Sequence, residues 1–304
     1  MIRDEVRPIL VTEQGVYDLE LIARLAGKDA EAWGTWIAGG IAAMLDRWTD
    51  VAPALADLAA AVVEAGPKYE PLGTGTKLRE PYRPVRIFAT ASNYVEHAQE
   101  MGTVLAAKSE SQPFVFMKAD SSVIGPDEAV IMPPKAERVD WEVELGAVIG
   151  IGGRDIPVDK ALEHVAAYTV INDITSRDLT RRSDFPFKFD WFRGKSFDTF
   201  APLGPWLVPA GCIGDPQDLR LTLDVNGKRK QDDSTGSMIF SVAEQISYLS
   251  SILTLRPGDL IATGTPDGVG MGTGEFLKCG DVVTAAVEKV GAITNPIKAT
   301  APVG

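Results

Sequence analysis

Apolar positions recur at helical spacing in the first quarter of the chain and at strand spacing afterwards. Between Leu19 and Leu25, Trp33 and Trp48, and Ala54 and Val63 they return every three to four residues, which predicts helices. Gly66-Pro67 breaks that pattern, and a polar stretch ending in Pro81-Tyr-Arg-Pro84 forms a connection. From Val85 the period changes. The runs 85–89, 113–117, 143–149, 168–171, 219–225, 260–262 and 282–287 are short and apolar, which predicts strands. Asn226-Gly227 lies between 221–225 and 228–231 and predicts a type I′ hairpin. Two helices interrupt the strands: 158–167, opened by Pro157, and 242–251, with apolar residues at 242, 246, 249 and 253. The expected fold is α+β, with a partly helical N-terminal domain over residues 1–80 and a larger β-rich domain over residues 81–304.

Composition limits what such a protein can do. Apolar residues make up 45% of 304, ample for a globular core. The net charge of −12 argues against nucleic acid or an anionic membrane as partner, since both need basic patches. A small anionic substrate stays possible, because one local pocket can reverse the global sign. The longest apolar stretch, from Trp36 to Leu45, is too short to span a bilayer, and the first residues mix charges without an apolar signal. The two cysteines, Cys212 and Cys279, form no CxxC, so a reduced, cytoplasmic setting is expected.

Three groupings could carry chemistry. Glu142 and Glu144 lie two apart in a strand-like run, so they share a face, with Val143, Leu145, Ala147 and Ile149 on the other. Two like charges side by side need water or a cation. Asp173 ends another apolar run, and three carboxylates suit a hard cation that takes oxygen ligands. By itself Glu142-x-Glu144 reads first as a solvated edge-strand face, because such pairs are common there. In a short helix closed by Gly102, His97 and Glu100 share a face at i, i+3; a carboxylate there raises imidazole basicity, as a water-activating base requires. A surface histidine on a charged helix end reads as well. His164 reads as structural.

Residues 177–195 hold six basic side chains against three acidic ones, which suggests an anion site directly after Asp173. Gly194-Lys-Ser196 is not a phosphate loop, because Phe189 occupies the position of its first glycine. The glycine-rich stretch 264–274 has dinucleotide-like spacing, but strand rather than helix is expected after it, so there is no helix N-terminus for a pyrophosphate.

Taken in order along the chain, these residues resemble the fumarylacetoacetate hydrolase family over roughly residues 85–290. The resemblance rests on Asn93-Tyr-x-x-His97-x-x-Glu100, Glu142-x-Glu144, Asp173-Ile-Thr-Ser-Arg177-Asp178, Lys195-Ser-Phe-Asp-Thr-Phe-Ala-Pro-Leu-Gly-Pro205, Met238-Ile-Phe-Ser and the run from Thr254 to Gly270. It implies a mixed β-sandwich roll, often a homodimer, with Mg²⁺ or Mn²⁺ on Glu142, Glu144 and Asp173. His97 and Glu100 become the water-activating dyad, and Lys195 stabilises developing negative charge. Tyr94, Lys118, Arg177, Gly264 and Thr265 fall at substrate-binding positions. The implied reaction is hydrolysis of a carbon–carbon bond in a β-diketo acid, of the acylpyruvate or a sugar-derived type, to pyruvate and a second acid. Isomerisation, tautomerisation or decarboxylation of an oxo-diacid at the same site is one alternative, and a non-catalytic metal-binding β-domain another. Ala119, Ser176 and Thr180 depart from the family pattern, which has proline, alanine and, in many acylpyruvate-cleaving relatives, glutamine there. The segment from His97 to Gln112 has few large apolar anchors and is expected to close over bound substrate.

Overall fold

The structure is a computed structural model and describes residues 6–28, 30–73, 75–100, 102 and 106–300. It opens with a hairpin that the apolar pattern did not indicate, β1 (Ile9–Thr12) and β2 (Gly15–Asp18). Helices α1 (Leu19–Leu25), α2 (Ala30–Ala38), α3 (Gly40–Asp46) and α4 (Trp48–Ala65) follow; the spacing predicts helix here, but the stretch 33–48 is broken at Gly39 and Arg47. Asp18 caps α1 by accepting the Leu21 N–H at 2.9 Å. Tyr17, Leu19, Ile22, Trp33, Met44, Val51, Leu58 and Val62 form a core of this region's own.

The larger part supplies β3 (Ile87–Ala91), α5 (Val95–Glu100), β4 (Phe114–Lys118), β5 (Val123–Ile124), β6 (Val130–Met132) and β7 (Val139–Asp140). Next come β8 (Val143–Ile149), β9 (Val165–Asn172), β10 (Thr175–Ser176), α6 (Trp191–Lys195), β11 (Ala201–Pro209) and α7 (Ala210–Ile213). The chain ends with β12 (Arg220–Val225), β13 (Lys228–Ser234), α8 (Val242–Ile252), β14 (Leu260–Ala262), α9 (Gly270–Thr273), β15 (Val282–Val287) and β16 (Gly291–Ala299). Asn226 and Gly227 have φ of 52° and 74°, the left-handed pair a type I′ turn requires.

Two mixed sheets form the α+β roll. One has seven strands in the order β4-β3-β14-β8-β9-β11-β5, the other five in the order β13-β12-β15-β16-β6. Val143, Leu145, Ala147 and Ile149 of β8 point into the core between the sheets, with Leu221, Leu223, Val283 and Ile293 opposite. Val148, on the other face, joins Ala166, Ala167 and Leu260 in a second core that Leu45 and Trp48 of the N-terminal helices cover. Gly150 permits that docking: a Cβ there would lie 2.7 Å from the Trp48 ring. β8 is therefore buried on both faces, and Glu142 and Glu144 do not lie on a solvated face.

One predicted element is corrected. The helix expected over 158–167 is a 3₁₀ run, Val158–His164, and β9 begins at Val165. Residues 165–167 are apolar and pair with β8 and β11, and that buried pairing outweighs the local helical spacing. His164 is structural, its Nδ1 2.7 Å from the Ile151 carbonyl oxygen.

Candidate active site

Strand register assembles the acidic cluster. Pairing of β8 with β9 sets Val143 opposite Asn172 and Glu144 opposite Ile171. The Glu142 N–H then donates to Asn172 Oδ1 (3.0 Å), and the Asp173 N–H to the Glu142 carbonyl (2.9 Å). Two residues that end one strand and begin the other are thus locked together. Glu142, Glu144 and Asp173 are all buried and each offers an oxygen within 4.8 Å of the others.

Three buried cations face them. Lys195, the last residue of α6, places Nζ 2.6 Å from both Glu142 Oε2 and Asp173 Oδ2. Its ammonium also stands 5.0 Å from the centre of the Phe116 ring. Lys118, at the end of β4, lies 2.5 Å from Asp173 Oδ1. Arg177 donates to Glu142 Oε1 (2.6 Å) and to Asp140 Oδ2 (2.8 Å). Of the basic segment 177–195, only Arg177 and Lys195 reach the cluster; Arg182 pairs with Asp184 and Asp190. The third cation comes from β4, outside that segment.

Asp140 is a member of this network that the sequence did not single out. Besides Arg177 it accepts the N–H groups of Trp141 (2.8 Å), Gly270 (2.6 Å) and Met271 (2.9 Å), so it ties the glycine-rich loop to Arg177. No motif marked it, and its aspartate is ordinary in composition; only the fold brings its partners together.

The carboxylates differ electrostatically. Burial by itself would raise Glu142, but Lys195 and Arg177 outweigh it and hold the group down to about 2. Among the described residues Glu144 has no cation partner, and the hydrogen bond to its carboxylate comes from the Gly264 N–H (2.7 Å). Burial, then Asp173 and Glu142, push it well above the usual carboxylate range. Lys118 is lowered by burial, which its single carboxylate partner Asp173 does not fully offset, while Lys195 is raised because Asp173 and Glu142 together outweigh its burial. Glu144 is thus a buried carboxylate that lacks a compensating charge. An all-oxygen donor set with one such member fits a hard divalent cation.

The glycine-rich loop forms the next wall. Gly264 has φ +97°, and a Cβ there would lie 2.7 Å from Asn93 Cβ. The Thr265 hydroxyl donates to the Val143 carbonyl (2.9 Å) and accepts from Gln231 (2.8 Å), so it anchors the loop to β8. Asn93 clamps the same loop, donating to the Thr263 and Phe240 carbonyls and accepting the Phe240 N–H. Tyr94 is fully buried, with no partner for its hydroxyl among the described residues.

His97 and Glu100 share a face of α5, but Nδ1 stands 3.8 Å from Glu100 Oε2, beyond hydrogen-bonding distance, and has no partner among the described residues. Glu100 instead accepts the Gly268 N–H at 3.1 Å. Of the segment expected to close over substrate, residues 101 and 103–105 lie outside the described residues. Further on, Lys108 reaches Glu244 of α8 at 2.8 Å.

The departures from the family pattern have local partners. Ala119 donates its N–H to Ser196 Oγ (3.1 Å), which proline could not do. Ser176 donates to Asp178 (2.8 Å) and Thr180 to the Arg177 carbonyl (2.8 Å), which stiffens the turn carrying Arg177.

The chain is similar to known proteins in sequence and fold. The family model for the C-terminal region of fumarylacetoacetate (FAA) hydrolase matches residues 86–298. A 2,4-didehydro-3-deoxy-L-rhamnonate hydrolase of Sphingomonas sp. is 45% identical over 209 residues, 68% of this chain and 70% of that protein. The crystal structure of a fumarylpyruvate hydrolase from Pseudomonas aeruginosa, in complex with Mn²⁺ and pyruvate, matches with 35% identity and a TM-score of 0.65, covering 75% of this chain and 94% of that one. A probable 2-hydroxyhepta-2,4-diene-1,7-dioate isomerase from Mycobacterium abscessus matches at 30% identity and TM-score 0.76 over 97% of this chain and 96% of its own, N-terminal helices included. With its model matched over more than two thirds of the sequence, the chain belongs to the fumarylacetoacetate hydrolase family.

Proposed function

We propose that this protein is a Mg²⁺- or Mn²⁺-dependent hydrolase that cleaves a carbon–carbon bond in a β-diketo acid of the acylpyruvate or a sugar-derived type, releasing pyruvate and a second acid. The observation that carries the reading is the buried convergence of Glu142, Glu144 and Asp173, with Glu144 left without a counter-charge. These three would hold the cation, whose chemistry when bound is Lewis acidity toward the carboxylate and 2-oxo end of the substrate. Lys118 and Arg177 fix Asp173 and Glu142 in place. Lys195, buried and charged, stabilises negative charge that develops on the leaving enolate. Tyr94 and the Gly264–Thr265 backbone border the substrate. His97 takes a proton from water as it attacks the distal carbonyl, and a shift of Glu100 off the Gly268 N–H completes the dyad.

One observation favours a second reading. The 3.8 Å gap between His97 and Glu100 leaves the dyad unassembled, as suits a dyad-independent isomerisation, tautomerisation or decarboxylation at the same carboxylates. A product assay with an acylpyruvate and Mg²⁺ separates the two, because only hydrolysis yields pyruvate plus a second acid. Glu142→Ala or Asp173→Ala is expected to abolish the metal-dependent activity. Full activity after chelation, or in a Glu142→Ala, Glu144→Ala double variant, would refute the metal assignment.

We further propose that residues 1–80 are a separate domain covering the outer face of the seven-stranded sheet, and that the protein is a cytoplasmic homodimer. Phe114, Phe185, Phe187, Phe189 and Phe192 are all half exposed or more; Phe114 and Phe189 lie against Trp191 at the β4 sheet edge, and Phe185 against Phe187. At roughly 150–250 Å² per aromatic side chain they offer on the order of 600 Å², close to the ~800 Å² per partner of a standard interface. Light scattering on Phe187→Asp, against wild type, tests this: a wild-type monomer, or a variant dimer of unchanged affinity, is the contrary result.

A further inference from the structure

The glycine-rich loop leaves β14 at Thr263, whose N–H still donates to the Leu145 carbonyl of β8 (3.2 Å). From Gly264 onward side chains hold the loop, and one of them comes from the other sheet. Gln231 of β13, 1% exposed, accepts the Val143 N–H on Oε1 (3.0 Å). Its Nε2 donates to the Thr265 hydroxyl (2.8 Å), the Pro266 carbonyl (2.9 Å) and the Asp267 carbonyl (3.3 Å). The orientation is fixed by these partners. Turned over, the amide would set its N–H groups against the Val143 N–H and its oxygen against two carbonyls. One side chain thus grips β8 between Glu142 and Glu144 and grips the loop just past Gly264.

The β12–β13 hairpin is shaped for this. Leu223 faces Gln231, but Asp224 faces Arg229, so Lys230 is the extra residue of a β-bulge. The bulge brings the Lys230 carbonyl so close to the loop that a Cβ on Gly268, at φ +85°, would lie 2.0 Å from it. Gly268 in turn donates to Glu100 (3.1 Å) and accepts from the Trp141 indole (3.0 Å). Residues 230 and 231 therefore seat both halves of the loop: the Gly264–Thr265 turn beside the triad, and Gly268 beside Glu100.

We propose that Gln231 is a positioning residue for the reaction. It sets the spacing between the carboxylate strand and the Gly264–Thr265 turn, and so the fit of the oxo-acid end of the substrate between them. This role rests on the reading above that the substrate lies between the triad and that turn. Gln231 itself is buried, and its polar atoms are taken up by the two segments it joins. The carboxylates have supports of their own: Glu142 is locked to Asn172 and Asp173, and Asp173 is bonded to Lys118 and Lys195. Loss of Gln231 should therefore weaken the hold on substrate and spare the hold on metal.

Gln231→Met keeps most of the volume and removes every one of these hydrogen bonds. In the full-length variant Mn²⁺ affinity should match wild type. Pyruvate, titrated calorimetrically into the Mg²⁺-saturated protein below its melting temperature, should bind about tenfold more weakly, and kcat/KM on an acylpyruvate should fall by roughly tenfold to a hundredfold. Gln231→Glu serves if the first variant folds poorly. It keeps the bond to Val143 but sets an oxygen against the Pro266 and Asp267 carbonyls, and should weaken pyruvate binding at least as much. A lowered melting temperature with wild-type pyruvate affinity, in either variant, would reduce Gln231 to packing and overturn the positioning role. Mn²⁺ affinity lost in step with pyruvate affinity in Gln231→Met also overturns it, because Gln231 would then act on the triad. Wild-type protein that binds no pyruvate, or binds it without Mg²⁺, overturns the proposed function and the role of Gln231 with it.

Discussion

Replacing Lys195 by methionine removes a buried ammonium while keeping most of the side-chain volume. The group is 1% exposed and sits 2.6 Å from one oxygen each of Glu142 and Asp173. Glu142 keeps Arg177 and Asp173 keeps Lys118, so neither carboxylate is stranded, but four buried carboxylates then face two cations. Breaking a buried pair costs about 3–5 kcal/mol when the survivor is left alone. With the survivors still paired, and the methionine stem packed under Phe116 and Trp191, about 2–4 kcal/mol is expected. At roughly 2 °C per kcal/mol for a chain of this size, the melting temperature in chelator should fall by about 4–8 °C. Mg²⁺ should restore most of it. Removing a positive charge from beside the triad should also tighten cation binding, by on the order of tenfold or more. Thermal melts with and without Mg²⁺, and Mn²⁺ titrations of both proteins, measure the two effects, while kcat should fall more than KM rises. A melt unchanged in chelator, or weaker Mn²⁺ binding by the variant, would show that the ammonium is not coupled to the triad as the distances require.

Further tests reach other parts of the site. His97→Ala should lower kcat by roughly 10²–10⁴-fold and Glu100→Gln by less, with Mn²⁺ affinity intact in both; lost metal binding would make His97 a ligand instead. Gly272→Ala should reproduce the Glu100→Gln defect without loss of fold. Its Cβ would fall 2.1 Å from the Glu100 carboxyl, a flexible group that can move but must then release Gly268. Glu244 would be raised by burial, but Lys108 and the Ser241 N–H hold its carboxyl below the usual value of 4.5. A depressed folded-state value stabilises above the unfolded value and is lost as pH falls through the folded one. Glu244→Gln should therefore cost about 0.5–1 kcal/mol at pH 7 and little at pH 3 in denaturant unfolding; an equal cost at both leaves no role for the charge.

How far the sequence could be read depended on how local the cause was. The helices of the N-terminal region, β8, the Asn226-Gly227 turn and α8 follow from spacing or turn chemistry within a few residues, and all are present. The first hairpin was missed because Ile9–Thr12 and Gly15–Asp18 are four-residue strands, too short for a period to register. The misread stretch 158–167 has helical spacing by itself, and only its pairing with β8 and β11 makes its last residues strand. The carboxylates were legible as types and spacing, and their burial was not. Glu142-x-Glu144 looks the same on a solvated edge and in the centre of a seven-stranded sheet; strand order alone decides between them.

That ambiguity explains why the basic segment gave only two of the three counter-charges. Local charge counting over 177–195 finds Arg177 and Lys195 but also counts Arg182, whose partners are its own neighbours Asp184 and Asp190. It cannot find Lys118, which is 55 residues from Asp173 in the chain and bonded to it in space. Asp140 escapes for the same reason, since its donors at 270 and 271 come from the far end of the chain. A buried charge has to be matched by whatever group the fold brings within reach, because an unmatched one costs several kcal/mol. Sequence distance therefore says little about which residues belong to such a site. On the proposed metal-dependent reading, Glu144 is the exception on which the site's chemistry turns. With every other buried carboxylate of the cluster matched by lysine or arginine, the one with only a backbone N–H is where an added cation, rather than a side chain, completes the balance.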